Sequence, residues 1–387
     1  MTAGAVHCTP MAGAGVSWMS ASYAEARARF LAAARRRGAA VRSWLHPTHR
    51  GANDEDLAMD VVRLGSPLAS AVIVVSSGVH GVEGFCGSGC QLALLNDDDV
   101  LHSLLRSGAA LLLVHAVNPY GFSHLRRGNE HSIDINRNFV DHQQPVHGNT
   151  GYATLHPHLL PATWLPPAEA QAAINRYVEA HGMRQFQRVV TGGQRSHPDG
   201  LFFAGHQPAW SNLTLRQVLR EHGADCQRLA WIDIHTGLGP TGHGEKIFAG
   251  GSDQTGLALA RACWGADVVA LSSGESVSAV VAGGAASRLV GECPHPESTA
   301  IALEFGTLPQ ATVLDALRAD QWLCNNPQAS AVQHQYIKQR LLDAFYVDSP
   351  AWRGMVWAQA RVAVRQALLA LSSPFAAPSS ATLQETS

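Results

Sequence analysis

The sequence lacks the features that mark membrane proteins and nucleic-acid-binding proteins. No apolar run approaches the ~18 uninterrupted residues that a membrane-spanning helix needs, so we expect no membrane partner. Residues 1–19 lack a cationic start followed by an apolar block, so we also expect no secretory signal. Lys and Arg number 28 against 30 Asp and Glu, and this balance favours a small or peptide-sized substrate over a nucleic acid.

Cysteines are few, and their spacing suggests neither disulfides nor a zinc finger. The seven cysteines are odd in number and scattered along the chain. Cys86 and Cys90 lie four residues apart, but no second pair of Cys or His has zinc-finger spacing. We therefore predict free, mostly structural thiols in a protein of the reducing cytoplasm.

The sequence does contain an alternation of short β-branched runs with amphipathic stretches, which indicates an α/β fold. The run AVIVV at 71–75 is apolar throughout, as expected for a strand that is covered on both faces. Strands are predicted at 40–45, 60–64, 71–75, 110–117, 229–235 and 300–304. Helices are predicted at 22–37, 87–95, 167–181, 211–222, 311–325, 329–346 and 351–371.

One catalytic domain is the simplest organisation, because the 387 residues show neither an internal repeat nor a clean linker. We predict this domain at 21–372, preceded by an N-terminal tail at 1–20 and followed by a disordered tail at 373–387. The stretch 141–210 is rich in predicted loops. A stretch of this kind inside a compact domain is typical of a rim or lid over a functional site.

The strongest local feature is the sequence HGVEG at 80–84, directly after a predicted buried strand. Ligands of open α/β sheets bind beyond the carboxyl ends of the strands, and two His with one Glu is a known ligand set for catalytic zinc. His235 ends another apolar strand before a glycine, so we predict that His80, Glu83 and His235 bind one metal ion. A His-x-x-Glu pair alone is weak evidence, since most of the 20 histidines must be surface or hydrogen-bonded core residues.

A second group of polar residues follows the predicted strand at 110–117. It contains Arg126 and Arg127, and then Asn136 and Arg137. Arginines near a strand end suit bidentate binding of a carboxylate or stabilisation of a developing oxyanion. For each arginine, the alternative is a solvated loop with structural ion pairs.

Glu304 is the third feature, at the end of the apolar strand predicted at 300–304. A carboxylate in this position is costly to bury unless it is paired or functional. Burial would also raise its pKa towards the range of a useful general base. A partly exposed glutamate at a strand end is the alternative.

Taken together, these motifs resemble the zinc carboxypeptidase superfamily, which includes the carboxypeptidase A-like and aspartoacylase-like hydrolases. The sequence looks closest to a bacterial metallopeptidase-like branch that is catalogued as a domain of unknown function. The resemblance spans about residues 70 to 310 and rests on an ordered set of motifs: HGVEG at 80–84, NPYGF at 118–122, RRGNE at 126–130, DINRNF at 134–139, DIHTG at 233–237 and LEFGT at 303–307. It implies a central mixed, largely parallel, twisted sheet flanked by helices.

The resemblance also implies roles for the metal site. His80, Glu83 and His235 would bind one Zn²⁺ ion, and Asp134 would accept a hydrogen bond from the ring of His80. We likewise expect Asp233 to support the histidines from outside the ligand set. Zinc would lower the pKa of a water molecule and polarise the scissile carbonyl.

The remaining roles concern the substrate, which would be a small peptide or an N-acyl amino acid with a free carboxylate. Arg127 would polarise the scissile carbonyl, and Arg126 is the weaker candidate for that task. Asn136 and Arg137 would hold the substrate carboxylate, and Glu304 would act as general base and then as general acid.

One departure from the carboxypeptidase pattern concerns a tyrosine. Carboxypeptidases usually carry a mobile tyrosine about twenty residues before the catalytic glutamate, whereas 262–303 contains no tyrosine. This difference leaves open an N-acyl amino acid amidohydrolase instead of a peptidase, with residues 274–278 and Arg288 as candidate pocket residues. A metal-binding protein without catalysis is a further alternative. It would require a broken motif, and none of the predicted metal, arginine or glutamate positions is replaced.

Overall fold

The computed structural model describes residues 18–144, 149–223, 225–248, 250, 253–274, 276–279, 283–294 and 297–372. Of the predicted N-terminal tail, only residues 18–20 are among these. The predicted disordered tail at 373–387 lies outside the described residues. In the part that is described, no helix is long and apolar enough to cross a membrane. The six cysteines within it are all free.

A mixed sheet of eight strands, counted over the described residues, forms the centre of the domain. The strands are β1 Ala40–Arg50, β2 Asp56–Leu64, β3 Ala71–Ser77, β4 Ala110–His115, β5 Arg228–Thr241, β6 Gly244–Phe248, β7 Val269–Ala270 and β8 Glu297–Gly306. Their spatial order is β1-β2-β4-β3-β5-β8-β6-β7. The central pairs β4/β3, β3/β5 and β5/β8 are parallel, whereas β1/β2, β2/β4 and β6/β8 are antiparallel. The predicted single α/β domain with a mixed sheet is confirmed.

Helices cover both faces of this sheet. They are α1 Tyr23–Arg36, α2 Gly84–Asn96, α3 Asp98–Ser107, α4 Pro119–Ser123, α5 Thr150–Leu159, α6 Ala168–His181, α7 Met183–Thr191, α8 Trp210–Gly223, α9 Gln254–Trp264, α10 Leu289–Glu292, α11 Gln310–Asn325, α12 Ala331–Phe345 and α13 Pro350–Leu371. Every residue of β3 and β4 is buried, which explains why residues 71–75 and 110–114 are continuously apolar instead of alternating.

Alternate residues of the central strands pack into two separate hydrophobic cores, one on each face of the sheet. Ile73 and Val75 pack with residues of α1, α2, α9 and α13 on one face. Val72 and Val74 pack with residues of α8 on the other face. This period of two follows from the pleat of a strand. The carboxyl ends of β3, β5 and β8 therefore stay fixed relative to one another.

The segment 141–210, predicted to be a rim or lid, contributes α5, α6 and α7. A third core cluster joins these helices to α11 and α12. Its members include Ile174 and Phe186 from the segment, and Leu317 and Phe345 from the later helices. The segment is thus packed on helices that follow β8, beside the carboxyl ends of the central strands.

Candidate active site

The turn after β3 places the first two site residues. Gly78 has a φ of +66°, a conformation that favours glycine, and the chain then reaches His80. Gly81 opens a short 3₁₀ turn that ends at Glu83, and a Cβ on Gly81 would lie 2.0 Å from the carbonyl carbon of Gly121. Only glycine allows the backbone to approach α4 this closely, and the approach fixes the spacing between His80 and Glu83.

Three side chains that could hold a metal ion converge just beyond the carboxyl end of β3 and beside β5. The potential ligand atoms of His80, Glu83 and His235 all lie within 4.8 Å of one another, and the three residues are buried. Nδ1 of His80 lies 2.8 Å from Oε1 of Glu83, and Nδ1 of His235 lies 3.0 Å from Oε2. The structure therefore brings together the two stretches of sequence that carry the predicted ligands.

The opposite nitrogen of each imidazole faces an aspartate. Nε2 of His80 lies 3.1 Å from Asp134, and Nε2 of His235 lies 2.7 Å from Asp233. If these Nε2 atoms carry the protons and donate to the carboxylates, both Nδ1 lone pairs point at the shared centre beside Glu83. Two imidazoles and one carboxylate, with each imidazole oriented by an outer carboxylate, fit a divalent metal of the zinc type.

Asp233 is itself held by two buried side chains of the central strands. Its Oδ1 accepts a hydrogen bond of 2.6 Å from the Ser76 hydroxyl. The Ser76 oxygen in turn accepts a bond of 2.7 Å from the indole N–H of Trp231. A chain of hydrogen bonds thus runs from the core of the sheet to the ring of His235.

Opposing charges shift the pKa values of the groups around the ligands. Burial raises the pKa of the Asp134 carboxyl, but Arg127, Arg137 and His80 outweigh this effect and hold it well below its usual range. Burial likewise raises the pKa of the Glu83 carboxyl, and the two neighbouring histidines bring it below its ordinary value. Both carboxylates are therefore ionised at neutral pH, as metal binding and the Nε2 hydrogen bonds require.

Two arginines lie against the same aromatic ring beside the ligands. Arg127 donates from Nε to Asp134 at 2.9 Å and from Nη1 to Glu83 at 3.2 Å. Arg137 donates to two backbone carbonyls, those of Thr191 and Asn136. The guanidinium carbons of Arg127 and Arg137 lie 5.1 and 5.4 Å from the centre of the Phe202 ring.

Arg137 differs from Arg127 because it makes no salt bridge with any carboxylate of the described residues. Its side chain is buried, and burial together with the charge of Arg127 lowers its pKa to about 10 although Asp134 opposes the shift. A buried guanidinium without a carboxylate partner favours an anion from outside the protein.

Asn136 and Arg126 have different surroundings. The side-chain oxygen of Asn136 accepts a hydrogen bond of 2.8 Å from the backbone N–H of Ala285, and its Nδ2 atom donates to none of the residues that the structure describes. Arg126 points elsewhere: it contacts Asp320 at 3.6 Å and donates to Ser132. It lines a separate small pocket, while Asn136 lines the large cavity with the ligands.

Glu304 lies on β8 directly opposite His235 in the register of β5 and β8. Its Oε1 accepts a hydrogen bond of 3.0 Å from the backbone N–H of Leu238. Burial raises its pKa to about 7, and the nearby Glu83 carboxylate contributes to this rise. A carboxyl group of this kind can take up and release a proton near neutral pH.

These residues share one cavity of about 860 Å³. It is lined by the three candidate metal ligands, Arg127, Asn136, Arg137 and Glu304, and by apolar side chains of α6, α7 and α11. Of the pocket residues suggested for the stretch before Glu304, Ser278 lines the cavity, whereas Arg288 donates to the carbonyl of Phe139. Residue 275 lies outside the described residues.

Sequence reasoning did not identify Phe202 or the residues that hold Asp233. Phe202 has a φ of +54°, which an L-residue rarely adopts, and it supports both arginines. No local pattern marks it, because its partners come from a segment more than sixty residues earlier. For Ser76, the signal was present: a hydroxyl at the end of an otherwise apolar strand needs a buried partner.

A family model described as "Protein of unknown function (DUF2817)" matches residues 19–359 of the chain. This match agrees with the resemblance to a branch catalogued as a domain of unknown function. None of the curated proteins compared with the chain matches it.

Several solved structures are similar to the chain at low identity. Carboxypeptidase A from Helicoverpa armigera is 15% identical, with a TM-score of 0.45 over 91% of this chain and 74% of that one. A metallo-carboxypeptidase from Pseudomonas aeruginosa is 15% identical, with a TM-score of 0.40 over 82% and 66%. A protein from Shewanella frigidimarina, whose name places it with succinylglutamate desuccinylases and aspartoacylases, is 17% identical, with a TM-score of 0.34 over 75% and 71%. These similarities assign no activity and no residue role to this chain.

Proposed function

We propose that this chain, which belongs to the DUF2817 family, is a zinc-dependent hydrolase of peptide or amide bonds. Its substrate carries a free carboxylate close to the bond that is cleaved. The observation that supports this proposal is a single cavity that combines three metal-binding atoms, a buried carboxyl group with a pKa of about 7 and a buried guanidinium without a carboxylate partner among the described residues.

His80, Glu83 and His235 would hold the metal. When bound, a zinc ion polarises the scissile carbonyl and makes a water molecule a better nucleophile. Asp134 and Asp233 keep the two imidazoles in the orientation that binding requires, since each accepts a hydrogen bond from an Nε2 atom.

Glu304 moves the protons of the reaction in this proposal. It accepts a proton from the attacking water as the oxygen bonds to the carbonyl carbon. It then donates that proton to the departing amine when the C–N bond breaks. The buried environment that raises its pKa suits both steps.

Arg127 and Arg137 bind different parts of the substrate. Arg127 is held rigidly by Asp134 and Glu83, so its remaining N–H donors can stabilise negative charge on the carbonyl oxygen. Arg137 binds the substrate carboxylate together with the Nδ2 donors of Asn136. Arg126 has no part in substrate binding in this proposal, because it is paired with Asp320.

The proposal is tested with Glu304→Gln, which preserves shape and removes the base. We expect the purified variant to retain its metal, measured by elemental analysis, and to lose hydrolysis by at least about 100-fold. Glu297→Gln, at the opposite end of the same strand, serves as the matched control and should retain activity. Near-normal hydrolysis by Glu304→Gln would refute the assignment of the base.

A second candidate function is hydrolysis of N-acyl amino acids. It is favoured by the absence of tyrosine from 262–303 and by the apolar helices that line the cavity. Peptides with free and blocked carboxyl termini, tested beside N-acyl amino acids, separate a carboxypeptidase from a deacylase. Both reactions require the same ligands, base and carboxylate site.

A further inference from the structure

The cavity has one wall that the hydrolytic machinery does not use. Six apolar side chains from three helices form this helical wall: Ile174 and Val178 of α6, Phe186 and Val190 of α7, and Leu314 and Leu317 of α11. Two of these helices belong to the segment 141–210. The wall adjoins the carboxylate site, because Arg137 donates to the carbonyl of Thr191 at the end of α7.

We infer that the substrate is an N-acyl amino acid whose acyl group is a long hydrocarbon chain, and that this chain lies along the helical wall. The inference rests on the proposed function, which supplies the hydrolysis itself. One water is consumed, the amide C–N bond breaks, the acyl carbon gains the hydroxyl oxygen and the amine gains the proton. The products are a fatty carboxylate and a free amino acid, and no oxidant or reductant takes part.

The chemistry of the wall favours a hydrocarbon over a peptide. Within α6, α7 and α11, backbone N–H and C=O groups bond to one another inside each helix, so the helix backbones offer few polar partners to a ligand on this wall. Polar side chains of these helices also line the cavity: Gln171, Asn175 and Glu179 of α6 are exposed, Gln187 of α7 bonds to Gln310, and Asp315 and Arg318 of α11 pair with each other. An extended peptide on this wall would bury amide groups without partners, which costs free energy, whereas methylene groups have no such cost.

The size of the cavity favours a substrate larger than an N-acetyl amino acid. At roughly 30 Å³ for each water-sized group, a volume of about 860 Å³ holds on the order of 30 non-hydrogen atoms. An N-acetyl amino acid would leave more than half of this space unfilled. A longer acyl chain would occupy more of this space along the helical wall, while the carboxylate of the amino acid lies at Arg137 and Asn136.

The test is a series of N-acyl derivatives of one amino acid, with acyl chains from acetyl to dodecanoyl. Since each buried methylene is worth about 0.8 kcal/mol, kcat/KM should rise about three- to fourfold per added methylene until the wall is covered. Binding of the intact series to Glu304→Gln, measured by calorimetry, should show the same increment in Kd. Hydrolysis of peptides that have a free carboxyl terminus and apolar residues is measured in parallel for comparison.

A charge placed on the wall should remove the dependence on chain length. Val178 is only partly buried, so Val178→Asp is compatible with folding, which a thermal melt confirms. We expect this variant to reduce the rise to less than about twofold per methylene. Val332→Asp is the matched control, because Val332 is 78% exposed on α12 and does not line the cavity.

The possible results separate this inference from the proposed function. A flat series with equal turnover of acetyl and dodecanoyl substrates overturns the inference and leaves the hydrolase proposal in place. A higher kcat/KM for apolar peptides than for every N-acyl amino acid would likewise overturn the inference and leave the hydrolase proposal in place. If metal-loaded protein hydrolyses none of these amides, the proposed function itself fails, and chain-length-dependent binding to Glu304→Gln still decides whether the wall takes hydrocarbon.

Discussion

Replacing Glu304 by glutamine should stabilise the metal-free protein increasingly as the pH rises above about 4.5, with nearly the full effect reached above about pH 7. The folded state raises the pKa of this carboxyl from its ordinary value of 4.5 to about 7, mainly through burial and secondarily through Glu83. A carboxyl with a raised pKa binds its proton more tightly when the protein is folded. Its contribution to stability is therefore complete below about pH 4.5 and is lost as the pH rises through about 7.

The size of the effect follows from the two pKa values. Since one pKa unit corresponds to about 1.4 kcal/mol, the difference between 4.5 and about 7 amounts to about 3 kcal/mol of unfolding free energy. The glutamine side chain carries no charge at any pH, so the variant should match the wild type near pH 4.5. At pH 8 it should be more stable by up to about 3 kcal/mol.

Urea unfolding of chelator-treated protein at pH 4.5, 6, 7 and 8 measures this difference. The quantity of interest is the unfolding free energy of Glu304→Gln minus that of the wild type at each pH. Glu297→Gln, on the same strand but partly exposed and outside the cavity, is the control for replacing a strand glutamate by glutamine. Parallel curves for the wild type and Glu304→Gln would show that Glu304 is not held in a charge-disfavouring environment.

Three further predictions concern the surroundings of the ligands. Asp233→Asn should weaken zinc binding by about 10- to 100-fold in competition with a chromophoric chelator, because it removes the negative charge that orients its histidine; unchanged affinity would contradict this role. Gly283→Ala should cost about 1–3 kcal/mol in urea unfolding, because the residue has a φ of +78° and the new Cβ would lie 2.5 Å from the Arg137 carbonyl oxygen. Gly291→Ala, whose Cβ meets nothing within 4 Å, is its control and should cost nothing measurable. Phe202→Leu should raise KM for carboxylate-bearing substrates about three- to tenfold by removing the ring beneath two guanidinium groups, and an unaltered KM would exclude that contribution.

The central part of the fold could be read from local patterns. Strands β3 and β5 were predicted because a strand buried on both faces must be continuously apolar. The helices predicted at 22–37 and 351–371 are found at Tyr23–Arg36 and Pro350–Leu371. The short strands β6 and β7 were missed, since five and two residues carry too little periodicity to be recognised.

Helices α5 and α7 were missed for a different reason. Helix α5 contains Pro157 in its interior and a glycine in its first turn, so its sequence reads as a loop. Its position depends on distant contacts: Arg318 of α11 donates to the carbonyls of Leu159 and His158 at its end. Such contacts join residues more than 150 positions apart, and no local pattern records them.

For the candidate site, the sequence indicated which residues stand at strand ends but not what each one touches. The structure brings His80, Glu83, His235 and Glu304 to one cavity, and the sequence predicts each of them at or just after the end of a strand. The difference between Arg126 and Arg127 is not a property of local sequence, because it depends on Asp320 in α11. The roles of all these residues stay predictions until variants are measured.

The indole of Trp231 is fully buried in the sheet. Three successive hydrogen bonds, through Ser76 and Asp233, connect it to the imidazole of His235, a proposed metal ligand. A substitution that repacks this part of the interior would therefore also alter the candidate metal site. Trp231→Phe would place a phenyl ring in much of the same space. It would also remove the N–H that donates to the Ser76 oxygen, so the Ser76 hydroxyl would no longer be held in its orientation towards Asp233. Variants designed for greater thermal stability should therefore retain Trp231, because it is linked by hydrogen bonds to the candidate metal site.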